Sequence, residues 1–458
     1  MYQCPTCGGG VRFDIASQKL LCDHCQNTYE PENFSTHGAA EEENEFSTTR
    51  FLCPQCGAEI IGDDNTAAAF CSFCGASTIL EGRISREKRP DHIIPFKITK
   101  KQCSDLYSGM MKRAIFAPKE LKDSKSIESF RGIYMPYWMY AMDYQGPFHL
   151  SATTHSRQGN YDITKYFDLS GNIDASYDGI MHDASTTFAD DISESVVPYE
   201  VNAMKDFHPA YLSGFYADTE DVNPAIYLND AVSLTKNYAS QSITGHPSFR
   251  GYHIDHSRES VPNAAPRPAK YAMLPVWFMA YRKKDRVSYI TINGQAGKIA
   301  ADIPIDPARY TIGSLLLAIP LFLLLNLFLS LSASVVLILS AIIAFITAIV
   351  AIAEHNHMKK KERGELDRGL RNNKTQQPSE RESKSAMDAF SPTLSFLSVA
   401  AAIAIVLIDP VSDYWFYAGS FFSIVTSFLA FTRIIHNYNI LATRRLPQFS
   451  RTGGDDRA

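Results

Sequence analysis

Eight cysteines carry the clearest chemistry in this sequence. Cys4, Cys7, Cys22 and Cys25 reappear 49 positions on as Cys53, Cys56, Cys71 and Cys74. Each set has two C-x2-C turns separated by fourteen residues, close to the spacing of a four-cysteine zinc site. Such a turn brings two thiolates to one edge of a tetrahedron with Zn–S bonds of roughly 2.3 Å. Gly8 and Gly57 follow the second cysteine of each first pair and allow the tight backbone that this needs. Other chemistries use the same residues. Disulfides need an oxidising compartment, against which the topology below argues. A redox dithiol does not come as two matched pairs, twice. Two structural Zn2+ ions are therefore expected, one per tetrad, with rubredoxin-like iron or redox chemistry as the alternatives. The ninth cysteine, Cys103, stands alone in a predicted helix, where packing is its expected role.

The elements that must hold these thiolates are short. Val11-Arg12-Phe13-Asp14 and Lys19-Leu20-Leu21 read as two strands around a turn. Each frame is thus a zinc ribbon, over residues 1–34 and 51–82, joined by an acidic linker over 35–50. Neither is large enough to fold without its metal. Many ribbons bind nucleic acid, but phosphate contact needs clustered Lys and Arg. Residues 1–81 hold three cations (Arg12, Lys19 and Arg50) against twelve carboxylates, a net charge of −9. A protein partner fits this head better than nucleic acid does.

The other end of the chain is oily. From Tyr310 to Ala353 no residue is charged. A helix of that length would far exceed the roughly 30 Å hydrocarbon core, so two spans are expected over 310–353 with a turn near Leu331-Ser332. A second hairpin is expected over 390–432, turning at Asp409-Pro410, with Tyr414, Trp415 and Tyr417 as an interfacial belt. The intervening loop, 354–389, carries Lys359, Lys360, Lys361, Arg363, Arg368, Arg371, Lys374, Arg381 and Lys384, and the tail, 433–458, adds five arginines. Neither hairpin turn has a Lys or Arg. The positive-inside rule then gives a multi-pass cell-membrane protein of four helices with both termini and the central loop in the cytoplasm. That side is reducing, which keeps thiolates free for zinc. Met1-Tyr2-Gln3-Cys4 has neither a basic nor an apolar leader, so no signal peptide is expected. Asn326 could hydrogen-bond between helices or be merely tolerated.

Between head and tail, residues 90–305 read as one α+β domain. A basic connector, Arg83 to Arg89, leads into it. Thr99 and Gln102 have capping-box spacing for a helix through about Lys112. Asn223-Pro224 looks like an N-cap and N1 proline opening a helix to about Lys236. Tyr134-Met135-Pro136-Tyr137-Trp138 and Met273-Leu274-Pro275-Val276-Trp277 echo each other, as paired strands or a duplicated unit would. Asn293-Gly294-Gln295-Ala296-Gly297-Lys298 lacks the spacing of a phosphate loop and reads as a hairpin turn. Asp174 to Gly179 starts like a calcium loop, but Ser185 stands where the closing Glu belongs. Glu354, His355 and His357 could meet a metal, though exposed histidines at a helix end need no such role. No catalytic motif and no cofactor-binding or small-molecule substrate motif emerges, so no enzyme is expected.

The cysteine frames, Ile93-Ile94-Pro95-Phe96, the two Pro-x-Trp segments and the Asn293 to Lys298 turn together resemble a bacterial family of membrane-anchored proteins with TFIIB-type double zinc ribbons. Some members are labelled as relatives of a primosomal helicase. The absence of a Walker motif here argues against carrying that label over. The resemblance covers the chain to about residue 305 and, more loosely, the tail. It implies company with flotillin-like (SPFH) or phage-shock-A-like membrane-stress proteins. The expected architecture is multidomain: two small β zinc ribbons, an α+β middle domain and an all-α membrane region of two helical hairpins. The expected function is a scaffold that recruits protein partners to the bilayer, and the alternative is a nucleic-acid-binding or transcription-linked membrane protein. Two ribbons on one tether could be two docking surfaces. The alternative to docking is that the second braces the first or packs on the middle domain.

Overall fold

The structure is a computed structural model of the 458-residue chain. It describes residues 3–34, 45–62, 71, 73–74, 81–123, 128–187, 189–328, 331–365, 367 and 387–446. The chain is multidomain, with N-terminal cysteine clusters, a mixed α/β middle and a helical C-terminal region. Strands β1 (Val11–Asp14), β2 (Lys19–Cys22) and β3 (Thr28–Tyr29) form a small antiparallel sheet of their own. Strands β4 (Glu45–Leu52), β5 (Glu59–Gly62) and β6 (Glu81–Lys88) belong instead to the large sheet of the middle. Two expected boundaries move as a result. The linker drawn over 35–50 stops short of Glu45, where β4 begins. The basic connector is itself strand β6, paired along β4 from Glu45↔Lys88 to Leu52↔Glu81. Its charges had hidden it; β6 is the last strand of the sheet, where charged residues discourage pairing with other chains.

The middle continues with β7 (His92–Ile93), α1 (Lys100–Arg113), β8 (Arg131–Gln158), β9 (Tyr161–Asp183), α2 (Asp190–Val196), β10 (Lys205–Asp206) and β11 (Tyr216–Ala217). After α3 (Leu228–Thr244) come β12 (His253–Ser260), β13 (Ala265–Pro266), β14 (Lys270–Lys283), β15 (Arg286–Asn293) and β16 (Ile299–Ala301). The 28-residue β8 is the spine. One edge carries β14, β13 and β12 in turn, and the other carries β11 and β9. Strands β8 and β14 are buried on both faces over most of their shared length. Tyr134, Trp138, Met273 and Trp277 feed one core, while Ile133, Met135, Leu274 and Phe278 feed the other. The echoing segments pair directly, with Pro136 opposite Met273 and Tyr134 opposite Pro275.

The Ile93 to Phe96 segment, the two Pro-x-Trp segments and the Asn293 to Lys298 turn meet at Phe96. Its ring stacks on Phe215 at 4.5 Å and lies 5.1 Å from Tyr134 and 5.2 Å from Trp277. A Cβ on Gly294 would sit 2.6 Å from that ring and 2.8 Å from Pro275, so the turn approaches the core only because residue 294 has no side chain. The amides of Lys97 and Ile98 both donate to the Gly294 carbonyl. The hairpin expected at Asn293 to Lys298 joins β15 to β16. Asp174 to Gly179 lie within β9 and pair with β8 through Tyr177; the ladder bulges at Asp178-Gly179, where Gly179 takes a φ of 80°.

Helix α1 has the expected capping box: Gln102 N–H donates to Thr99 Oγ1 at 3.3 Å, and Thr99 N–H to Gln102 Oε1 at 2.8 Å. Asn223-Pro224 caps a 3-10 turn, Pro224–Ile226, rather than the helix itself. Helix α3 then runs to Thr244, beyond the expected end near Lys236. Its buried stripe is Ala231, Thr235, Ala239 and Ile243, small and polar enough to escape notice in the sequence.

Helices α4 (Pro307–Phe328), α5 (Ala333–Glu362), α6 (Met387–Ile408) and α7 (Tyr414–Leu441) follow, and β17 (Arg444–Arg445) closes the described chain. Among the described residues, three stretches are long and apolar enough to cross a membrane, Pro307–Leu325, Ala333–Glu362 and Tyr414–Leu441, and Thr393–Ile408 is a shorter apolar helix. Helices α5, α6 and α7 pack through small residues: a Cβ on Gly419 would meet Ile405 at 2.8 Å and Leu337 at 3.0 Å. Leu316 and Leu317 of α4 are exposed. Most of the basic loop, the tail beyond 446 and the Asn326 side chain lie outside the described residues.

Candidate metal centres

Both tetrads converge, and the sulfur atoms of each lie within 4.8 Å of one another. In the first, Cys4 Sγ is 3.5 Å from Cys25 Sγ and Cys7 Sγ is 3.5 Å from Cys22 Sγ. In the second, Cys53 and Cys74 are 3.9 Å apart and Cys56 and Cys71 are 3.8 Å apart. The edge of a tetrahedron with 2.3 Å bonds is about 3.8 Å. No pair is joined as a disulfide. The donor set and its geometry fit a tetrahedral thiolate-bound metal ion, with Cys4, Cys7, Cys22 and Cys25 holding one and Cys53, Cys56, Cys71 and Cys74 the other.

The turns that place these sulfurs repeat bond for bond. Cys4 N–H donates to Gly9 O at 2.7 Å and Gly8 N–H to Cys4 O at 2.8 Å. Cys53 N–H donates to Ala58 O at 2.8 Å and Gly57 N–H to Cys53 O at 2.9 Å. Gly8 and Gly57 have φ of 71° and 77°, which glycine adopts without strain. The second turn of the first ribbon uses Gln26 at φ 62° in the same role.

Without metal the four thiols of a tetrad compete for protons. Burial opposes ionisation of Cys4, but hydrogen bonds from Tyr29 and the backbone amides of Cys7 and Thr6 pull it down to about 5. Cys53 is drawn down to about 6 by its hydrogen bond to Cys71 and by the Cys56 and Gln55 amides, against burial. Cys56 and Cys71 are pushed up. One thiolate forms at the expense of its neighbours, and a divalent cation would relieve that competition.

The surroundings of the two tetrads differ. In the first, Cys7 is exposed and Cys25 half-buried, while all four cysteines of the second are buried. The first ribbon is clipped to one face of the sheet. Phe13 N–H donates to Ser213 O at 3.0 Å, Ser213 Oγ donates to Val11 O at 2.6 Å, and Phe13 packs on Tyr211. Gln18 Nε2 reaches Phe96 O at 2.8 Å, and Lys205 bridges to Glu32 at 2.9 Å. The second ribbon lies against the other face. Phe73 packs on Phe278 at 5.9 Å, Tyr289 Oη donates to Phe73 O at 2.9 Å, and Ala217 of β11 pairs with Ile61 of β5. Arg50 of β4 joins Glu59 of β5 and Glu87 of β6 across this junction.

Sequence reasoning missed Tyr29. Its hydroxyl lies 3.0 Å from Cys4 Sγ and 2.8 Å from Thr6 Oγ1, supporting the thiolate from outside the tetrad. The one signal was an aromatic residue soon after Cys25. Cys103 is fully buried in α1, and burial pushes its thiol up to about 12, as suits a packing residue. Among the described residues, the two tetrads are the groups of three or more potential ligands that converge; Glu354, His355 and His357 run along α5 without doing so.

The chain is similar to the uncharacterized protein YdjG of Bacillus subtilis (strain 168), with 28% identity over 312 residues that cover 67% of this chain and 91% of that protein. No protein-family model and no solved structure matches it.

Proposed function

We propose that this chain is a membrane-anchored scaffold whose two zinc ribbons and middle domain together recruit protein partners to the cytoplasmic face of the bilayer. In this reading four helices span the membrane, both termini are cytoplasmic, and the TFIIB-type ribbons hold structural zinc rather than catalytic metal. Flotillin-like or phage-shock-A-like membrane-stress proteins are the partner class that the resemblance offers. The observation that carries the reading is the continuity between body and helices. Strand β17, just after α7, pairs with β15 of the large sheet. Arg286 of β15 bonds Glu362 of α5 at 2.6 Å and the carbonyls of Ile440 and Thr443 at 2.9 Å. Lys361 bridges to Asp191 of α2 at 3.0 Å. A body held to the bilayer at so many points presents its surface in a fixed orientation, which raises the effective concentration of whatever docks there.

Nucleic-acid binding is the weaker reading. The head's three cations are already paired: Arg12 with Asp23 at 2.8 Å, Lys19 with Glu30 at 2.7 Å, and Arg50 with Glu59 and Glu87. A non-enzymatic role agrees with the lack of a catalytic motif. The test is co-purification of full-length protein from gently solubilised membranes, comparing the natural chain with Cys22→Ser. Partner loss with unchanged membrane insertion supports docking through the first ribbon. Unchanged partners would move docking to the middle domain, and salt-sensitive capture of nucleic acid would reverse the ranking.

A further inference from the structure

The C-terminal end of α1 and the turn that follows it combine features that the scaffold reading does not use. This stretch runs Lys112-Arg113-Ala114-Ile115-Phe116-Ala117-Pro118-Lys119, an apolar tip between cations. Lys112, Arg113 and Lys119 are exposed, and Ile115 is 62% exposed. The start of α4 grips this tip: Asp306 N–H donates to Phe116 O at 2.8 Å and Arg309 Nη1 to Ala117 O at 3.1 Å. The Phe116 ring lies 4.9 Å from Tyr310 and against Gly313, where a Cβ would meet it at 2.8 Å.

These contacts fix the height of the tip. Arg309 is the last charge before the apolar run of α4, and Gly313 lies four residues further, about 6 Å along the helix. Tyr310 also touches Phe431 of α7 at 5.8 Å, and Arg433 comes two residues later. Both helices thus change from charged to apolar at one level, where interfacial aromatics sit. We propose that residues 112–119 form a separate interfacial contact, in which Ile115 enters the bilayer edge and the three cations bind acidic phospholipid headgroups. An exposed isoleucine at that level meets lipid rather than water, and flanking cations complement anionic headgroups. The inference goes beyond partner recruitment and rests on α4 and α7 crossing the bilayer.

The test uses full-length, zinc-loaded protein in nanodiscs, with a nitroxide label on Ile115→Cys in a Cys103→Ser background. With phosphatidylglycerol present, the label should be more accessible to oxygen than to an aqueous nickel chelate. That preference should fall in discs of phosphatidylcholine alone and in Lys112→Gln/Arg113→Gln/Lys119→Gln. Phosphatidylglycerol retained by the triple variant should also fall, by about fivefold per cation removed. An aqueous signal at 115 with acidic lipid present, or unchanged depth and lipid retention in the triple variant, would overturn the contact. A label on Leu316→Cys separates the two readings. If 316 reads bilayer while 115 reads water, this contact alone fails; if both read water, the spanning reading fails with it.

Discussion

In the first ribbon the tetrad rests on its own three-stranded sheet, with Cys7 open to solvent. In the second the same tetrad hangs from strands of the body's sheet, and every cysteine is buried. The frames match in spacing and in the hydrogen bonds of the first turn, and they differ in the sheet that carries them and in what surrounds them. A duplicated motif here covers the two faces of one sheet, the first copy as an attachment and the second as part of the fabric. Removing metal should therefore have unequal consequences.

The largest effect is expected from Cys71→Ser. It should lower zinc from two ions per chain to one and open the middle domain, because the junction of β5 with β11 and the Phe73 contacts depend on that tetrad. Limited proteolysis in detergent checks this, and a protected middle domain would show that the sheet holds without its second ribbon. Cys22→Ser should also cost one zinc, yet cleavage should be confined to the first ribbon. Spread of cleavage into residues 90–305 would make the two ribbons equivalent after all.

Two smaller effects sharpen the contrast. Tyr29→Phe removes a hydrogen bond to Cys4 and should weaken zinc binding in the first site by about tenfold, leaving the second unchanged. Competition with a chromogenic chelator reads both sites, and the natural protein should release the exposed site first. Equal loss from both sites would remove Tyr29 from the first site's support. Gln26→Gly relieves a left-handed conformation and should stabilise the first ribbon by about 0.5–1 kcal/mol. A lower melting temperature for metal-loaded protein would show that the Gln26 side chain contributes more than its backbone costs.

Much of this was legible in residue types alone. The cysteine spacing, the glycines of the turns, the Thr99/Gln102 cap and the Asn293 hairpin are local features, set by a few neighbouring residues. The attachments were not. Ser213 and Tyr211 reach Val11, Phe13 and Glu32 across the fold, and no spacing encodes such a meeting. The Tyr134 to Trp138 segment was legible as strand, but the length of β8 was not: pairing with β9 continues across Gly146↔Ile173 and Pro147↔Asn172, where Gly and Pro disfavour a strand. The long ladder on either side holds the strand together where local preference would end it.

Strand β17 has a consequence for the order in which the molecule is made. Its partner β15 leaves the ribosome before any of the apolar helices, whereas Arg444 and Arg445 leave after all of them. The nascent middle domain therefore waits, with the Arg286–Val287 edge of β15 unfilled, until the last apolar helix has been made. Arg444 then joins Lys361, made earlier at the end of α5, on Asp191. Completion of the sheet thus follows synthesis of every apolar helix, and a chain that stalls before the end of α7 leaves that edge open.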